Sequence, residues 1–193
     1  MSNRKRKSPA ESLTKERRTI RVVCVSGTPG VGKTTICELV KKQLGGSAEF
    51  EFVNIGDLIK EKKLYSEWDD EMNCSIFDDK LVKAELKRIV EDSKKKGILI
   101  DFHSVGFIPR KLVDHVVVVR TDTEILWSRL EKRGYKESKI KENVEAEIFM
   151  ESMNEALDKF GEDKVVERTN NDEKDRDEIV KFVCKVLRGD RDS

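Results

Sequence analysis

Gly27-Thr28-Pro29-Gly30-Val31-Gly32-Lys33-Thr34 follows the apolar run from Ile20 to Ser26 and precedes a helix-compatible stretch from Thr35 to Leu44. The pattern is G-x-x-x-x-G-K-T between a strand and a helix. Glycines at 27, 30 and 32 let the backbone curl so that its N–H groups converge on phosphate oxygens at a helix N-terminus. Lys33 then reaches the β and γ phosphates, and the Thr34 hydroxyl is placed to ligate Mg²⁺. Glycine-rich turns also join strands to helices in proteins that bind nothing. The lysine and the hydroxyl at their fixed offsets separate this stretch from those, and the chain is expected to bind a nucleoside triphosphate.

Outward from this loop, strand-like runs recur at Glu51 to Asn54, Gly97 to Asp101, His115 to Arg120 and, with a weaker pattern, Lys164 to Glu167. Helical periodicity covers Lys33 to Leu44, Asp57 to Lys63, Asp78 to Lys95, Asp122 to Arg133, Ser138 to Phe160 and Lys174 to Leu187. Strands that alternate with helices predict an α/β fold, a parallel sheet with helices on both faces and right-handed crossovers. Ile98-Leu99-Ile100 and Val116-Val117-Val118-Val119 lack alternation, as central strands buried on both sides should. Ligands in such sheets sit beyond the carboxyl ends of the strands.

At 193 residues the chain suits one domain, long enough to bury roughly 70% of its unfolded surface. Charged residues make up 40% of it, yet 39 Lys and Arg nearly balance 38 Asp and Glu, so global charge implies neither a nucleic-acid nor a membrane partner. The cations are unevenly placed. Within the first twenty-one residues Arg4, Lys5, Arg6, Lys7, Lys15, Arg17, Arg18 and Arg21 face only Glu11 and Glu16, which predicts a disordered basic arm over residues 1–19. Arg4 to Lys7 has the composition of a nuclear-import signal and also of a phosphate-backbone contact; a solvated tail has it too. No apolar run approaches the roughly 18 residues that span a bilayer, and no secretory segment follows Met1, so a soluble intracellular protein is expected. Cys24, Cys37, Cys74 and Cys184 are scattered and read as reduced thiols. Residues 20–188 form the expected domain, and 189–193 a frayed tail.

The strand ends carry the candidate chemistry. Asp101 closes the third run, where a carboxylate can hold the water shell of Mg²⁺ opposite Thr34. His103 lies two residues on; its imidazole either orients a water or moves a proton, or it is a loop histidine with one backbone partner. After the second run, Asn54-Ile55-Gly56-Asp57-Leu58-Ile59-Lys60 turns into a short helix. Asp57 there is either the helix N-cap or part of a second phosphate site, with Gly56 allowing close approach and Lys60 as counter-charge. Tyr65 to Cys74 is too acidic for a core and reads as an insertion covering a site. Arg129 and Arg133 fall one helical turn apart, a spacing that suits phosphate contacts as well as ordinary surface arginines.

With these positions in hand, the chain resembles the adenylate kinase isoenzyme 6 family, which joins an adenylate-kinase fold to a role in small-ribosomal-subunit maturation. The resemblance runs from about Ile20 to about Val166. It is carried by G-T-P-G-V-G-K-T-T from Gly27, N-I-G-D-L from Asn54, D-F-H from Asp101, R-T-D-T from Arg120, R-L-E-K-R-G-Y from Arg129 and E-I-F from Glu147. D-x-H in place of the D-G-F-P-R of ordinary adenylate kinases is the most discriminating of these. The resemblance implies a five-stranded parallel sheet of order 2-3-1-4-5 with a short lid over 132–142 and a monophosphate-binding segment over 54–77. It places Gly27, Gly30, Val31, Gly32, Lys33, Thr34 and Thr35 on the ATP phosphates with Arg129 and Arg133 beside them, Arg133 as the lid arginine. Thr34 and Asp101 would hold the metal, His103 would serve kinase and ATPase activity, and Gly56, Asp57 and Lys60 would bind the monophosphate.

Two departures stand out. Lys60 occupies a place where related kinases put an arginine, and Ser104 stands where a glycine is common; Arg110 is offered as a second monophosphate arginine. The implied activity is transfer of phosphoryl from Mg-ATP to AMP, giving two ADP, together with ATP hydrolysis. The alternative is an ATP-switched assembly factor in which hydrolysis is the main activity. AMP, a small-subunit ribosomal protein or pre-40S particle, and pre-rRNA are the implied partners, in nucleus and cytoplasm. No N-K-x-D motif supports a GTPase reading.

Overall fold

The computed structural model describes residues 20–46, 48–69 and 74–190. The predicted basic arm, the end of the tail at 191–193 and residues 70–73 of the expected acidic insertion lie outside the described residues. In chain order the elements are β1 (Arg21–Ser26), α1 (Lys33–Gln43), β2 (Phe50–Asn54), α2 (Ile55–Lys62), β3 (Tyr65–Asp69), β4 (Cys74–Phe77) and α3 (Asp79–Asp92). There follow β5 (Gly97–Asp101), β6 (His115–Arg120), α4 (Thr123–Lys132), α5 (Glu137–Ile148), α6 (Glu151–Phe160), β7 (Val165–Thr169) and α7 (Glu173–Arg188). Five strands form a parallel sheet in the order β2-β5-β1-β6-β7, which is 2-3-1-4-5 when the hairpin strands are set aside. No described helix is long and apolar enough to cross a membrane.

The sheet explains the unalternated apolar runs. Val22, Cys24, Ile98, Ile100, Val116 and Val118 face one layer with residues of α2, α3 and α6; Val23, Val25, Leu99, Val117 and Val119 face the other with α1, α4, α5 and α7. Successive strand residues point to opposite faces, so a strand covered on both sides has to be apolar throughout. Cys24 and Cys184 are buried free thiols and Cys37 is half-buried. Burial pushes the thiols of Cys24 and Cys37 well above the ordinary range, so both stay protonated.

Three elements differ from the expectations. The single helix expected over Ser138 to Phe160 is two, because Met150 turns left-handed with φ 57° between α5 and α6. The reason lies in packing: Ile140 of α5 belongs to one core layer, whereas Ala156 and Phe160 of α6 belong to the layer on the opposite face of the sheet. The chain crosses between layers, and a straight helix cannot. The expected insertion at Tyr65 to Cys74 contains an antiparallel hairpin, with Tyr65 opposite Phe77 and Asp69 opposite Cys74. Finally, α2 begins two residues earlier than the expected Asp57. Its N-cap is Asn54, whose side chain accepts the Asp57 N–H at 3.0 Å, so Asp57 is not the cap.

Candidate active site

The loop after β1 has the backbone that its glycines permit. Gly27 lies at φ 140° and passes so close to β6 that a Cβ there would stand 2.2 Å from the Val119 carbonyl oxygen. Gly32, at φ 105°, is the N-cap of α1 and offers no side chain to its first N–H groups. Those donors therefore remain for an anion. A Cβ on Gly32 would also meet the Asn170 amide at 2.5 Å. Asn170, at the end of β7, donates to the Val31 carbonyl at 2.6 Å and ties the loop to the far side of the sheet.

Lys33 folds back into this cradle, its Nζ donating to the carbonyls of Gly27 at 2.6 Å and Thr28 at 3.0 Å. Burial pushes its pKa down to about 8, against the opposing pull of Asp101. The Thr34 hydroxyl donates to Asp101 Oδ2 at 2.7 Å, and the Asn54 amide donates to the same oxygen at 2.9 Å. Asp101 itself is buried at the end of β5. A hydroxyl and a carboxylate held together beside the cradle are a donor set of hard oxygens that fits Mg²⁺.

Pro29, Gly30, Gly32, Lys33, Thr34, Asn54, Gly56, Asp101, His103 and Arg133 converge on one cavity of about 290 Å³. Pro29 and His103 also line a second cavity of about 460 Å³, with Ser104 on the loop after β5, Lys139 and Asn143 of α5, and Ser152 and Glu155 of α6. Pro29 and His103 thus form the wall between the two. Its ring lies 4.2 Å from the Phe102 ring, and its carbonyl accepts the Ser26 hydroxyl at 3.2 Å. The ring keeps accessible surface in the cleft, yet the surrounding protein and the Lys33 charge both lower its pKa, which favours neutral imidazole.

Not every expected residue reaches this cleft. Asp57 lines an adjoining cavity of about 400 Å³ along the edge strand β2, which shares Thr34, Asn54 and Asp101 with the first, and Lys60 is exposed on α2 and lines none of these spaces. Arg129 packs behind the loop, donating to the carbonyls of Val31 and Asn171, both at 3.3 Å, with burial lowering its pKa. Arg110 pairs with Asp163 at 2.9 Å on the surface and does not line the cleft. Thr35 is exposed on the first turn of α1, while Val31 is buried in the core.

Two carboxylates from the α5–α6 segment were not anticipated. Glu147 is 2% exposed, and it accepts the Thr28 hydroxyl, Arg120 Nε at 3.0 Å and the Thr121 N–H at 3.2 Å. Glu155 accepts the Ser104 hydroxyl at 2.7 Å and the Val105 N–H at 2.8 Å. Glu147 had a signal in the E-I-F word that carried no assigned role; Glu155 had none. Asn170 could have been found by the reasoning applied to the other strand ends.

A phosphate cradle after the central strand, an acid ending the neighbouring strand and the order 2-3-1-4-5 define a P-loop kinase. The fold is shared with shikimate kinase from Acinetobacter baumannii, solved with shikimate: TM-score 0.58 and 16% identity over 91% of this chain and 97% of that one. A family model described as an AAA domain matches residues 23–150. The chain is 37% identical over 165 residues to the adenylate kinase isoenzyme 6 homolog of Caenorhabditis elegans, covering 85% of this chain and 87% of that protein. It is 40% identical over 153 residues to the homolog of Schizosaccharomyces pombe, covering 79% and 83%. The chain belongs to the adenylate kinase isoenzyme 6 family.

Proposed function

We propose that the protein transfers the γ-phosphoryl group of ATP to AMP, giving two ADP, and that the same site hydrolyses ATP when water takes the acceptor's place. The observation that carries this reading is the junction at His103 between the phosphate cradle and the second cavity. Both spaces are of the size that holds small ligands. In the transfer, an oxygen of the acceptor phosphate forms the new bond to the γ-phosphorus as the bond to the β,γ-bridging oxygen breaks. Lys33 and Arg133 neutralise oxygens of the transferring group, and the free N–H groups of the loop orient it. Thr34 and Asp101 would hold Mg²⁺, which when bound neutralises charge between the β and γ phosphates. Neutral His103 can accept a hydrogen bond or proton from an attacking water.

The position of Lys60 favours a second reading. With no cation of α2 in the cleft, the acceptor phosphate loses one counter-charge, and hydrolysis could be the main activity of an ATP-switched assembly factor. The family resemblance supports a role of that kind in small-subunit maturation, with a ribosomal protein or pre-rRNA as partner. Arg4 to Lys7 supports work in the nucleus as well as the cytoplasm. ADP formation and phosphate release measured side by side, with and without AMP, separate the readings. AMP-dependent ADP formation is expected; AMP-independent phosphate release alone would sink the kinase reading. His103→Gly should lower both rates while retaining ATP binding.

A further inference from the structure

We propose that Glu155 is a positioning residue that fixes His103 at the wall between the two cavities by holding the loop after β5 from α6, an inference that rests on the kinase reading of the site. The carboxylate spends one oxygen on each of two consecutive residues: Oε1 on the Ser104 hydroxyl at 2.7 Å and Oε2 on the Val105 N–H at 2.8 Å. The backbone is pressed against it, since a Cβ on Gly106 would stand 2.8 Å from Oε1. On the other side Ser26 binds the His103 carbonyl. The segment that carries the imidazole is therefore clamped from β1 and from α6, with Val105 and Phe107 buried beneath it.

Glu155 lies in the middle of α6, so it caps no helix end, and among the described residues no lysine or arginine pairs with it. Its two bonds go to neutral donors, and its charge stays available to the imidazole nearby. Ser104 gains a purpose here: the hydroxyl that replaces a glycine supplies one of the two bonds. Neither bond is to the phosphate loop, which Glu147 serves instead. Placement of His103 and affinity for ATP are separable as a result.

The charged groups around His103 are Lys33 of α1, Arg133 after α4, Asp101 of β5, Lys139 and Glu142 of α5, and Glu151 and Glu155 of α6. Glu155 and Asp101 favour the imidazolium, whereas Lys33 opposes it. Glu155→Gln can keep both hydrogen bonds, through its amide oxygen and nitrogen, while losing the charge; Glu155→Ala loses everything.

The test combines steady-state kinetics with NMR shifts of the ring protons at one pH, which report placement because the Phe102 ring lies 4.2 Å from that of His103. The chain has two histidines, and His115 on β6 serves as internal reference. Glu155→Ala is expected to lower kcat by roughly 10- to 100-fold, the cost of a misplaced group, with KM for ATP unchanged. Glu155→Gln is expected to recover most of kcat, to melt near the parent temperature, and to keep the His103 ring-proton shifts near the parent's, whereas Glu155→Ala moves them with His115 unmoved. An unchanged kcat in Glu155→Ala, or His103 ring-proton shifts in Glu155→Ala equal to the parent's, overturns the proposal. So does a loss of kcat that tracks lost ATP affinity and is not rescued by Gln. If His103→Gly keeps full activity while Glu155→Ala still moves the His103 ring-proton shifts, the positioning stands and the role of His103 in transfer fails.

Discussion

Lys33 was legible because its task is set by neighbours in the chain. The loop glycines and the first turn of α1 place its Nζ over the cradle whatever the rest of the molecule does. Its environment was not legible, since burial is a tertiary property. With a folded pKa of about 8 against an ordinary value of 10.5, the native state binds fewer protons than the unfolded chain between those limits. Stability of the nucleotide-free protein therefore rises with pH across that window as far as this group is concerned. Phosphates restore the charged form, so ATP binding takes up a proton there and weakens as pH rises. Calorimetric titration at about pH 9 in buffers of differing ionisation enthalpy should show this uptake. It should fade near neutral pH and vanish in Lys33→Met; uptake that survives the substitution would assign it to another group. Lys60 shows the opposite case. Its residue type suggested a phosphate contact, but the rotation of α2 against the sheet turned it to solvent.

Helices and strands with strong periodicity were read to within a residue or two, apart from α3, which stops at Asp92 three residues before the expected Lys95, and the larger differences each have a cause. Helix α2 starts at Ile55 because Asn54 serves two masters, accepting the Asp57 N–H and donating to Asp101. Asn54→Ala should cost about 1–2 kcal/mol from the lost cap, seen as a lower denaturant midpoint at unchanged m. A midpoint equal to the parent's would show that the cap contributes nothing. The break at Met150 escaped notice because helical residues flank it on both sides and neither glycine nor proline marks it. Only the need to pass from one face of the sheet to the other forces a left-handed residue there.

That crossing organises the whole molecule. It carries Glu147 to the phosphate loop and the end of β6, and Glu155 to the loop after β5, so one segment grips both sides of the cleft. Glu147→Ala would leave Arg120 and the Thr121 N–H without their shared partner. Removing one member of a buried pair typically costs 3–5 kcal/mol; with Arg120 retaining some solvent access, about 3 kcal/mol is expected. For a domain of this size that lowers Tm by about 6–12 °C, and KM for ATP should rise as Thr28 is released. A variant that melts with the parent would refute the clamp. The five strands of the parallel sheet, the cradle and the Asp101 and His103 positions followed from sequence by itself, because local spacing and apolar runs act over a few residues; the order 2-3-1-4-5 was implied by the family resemblance. The placement of Glu147 and Glu155 on the two sides of the cleft, the turning of Lys60 to solvent, and the two cavities meeting at Pro29 and His103 were decided by tertiary structure alone. Each depends on which face of the sheet a helix packs against, and no short stretch of chain records that.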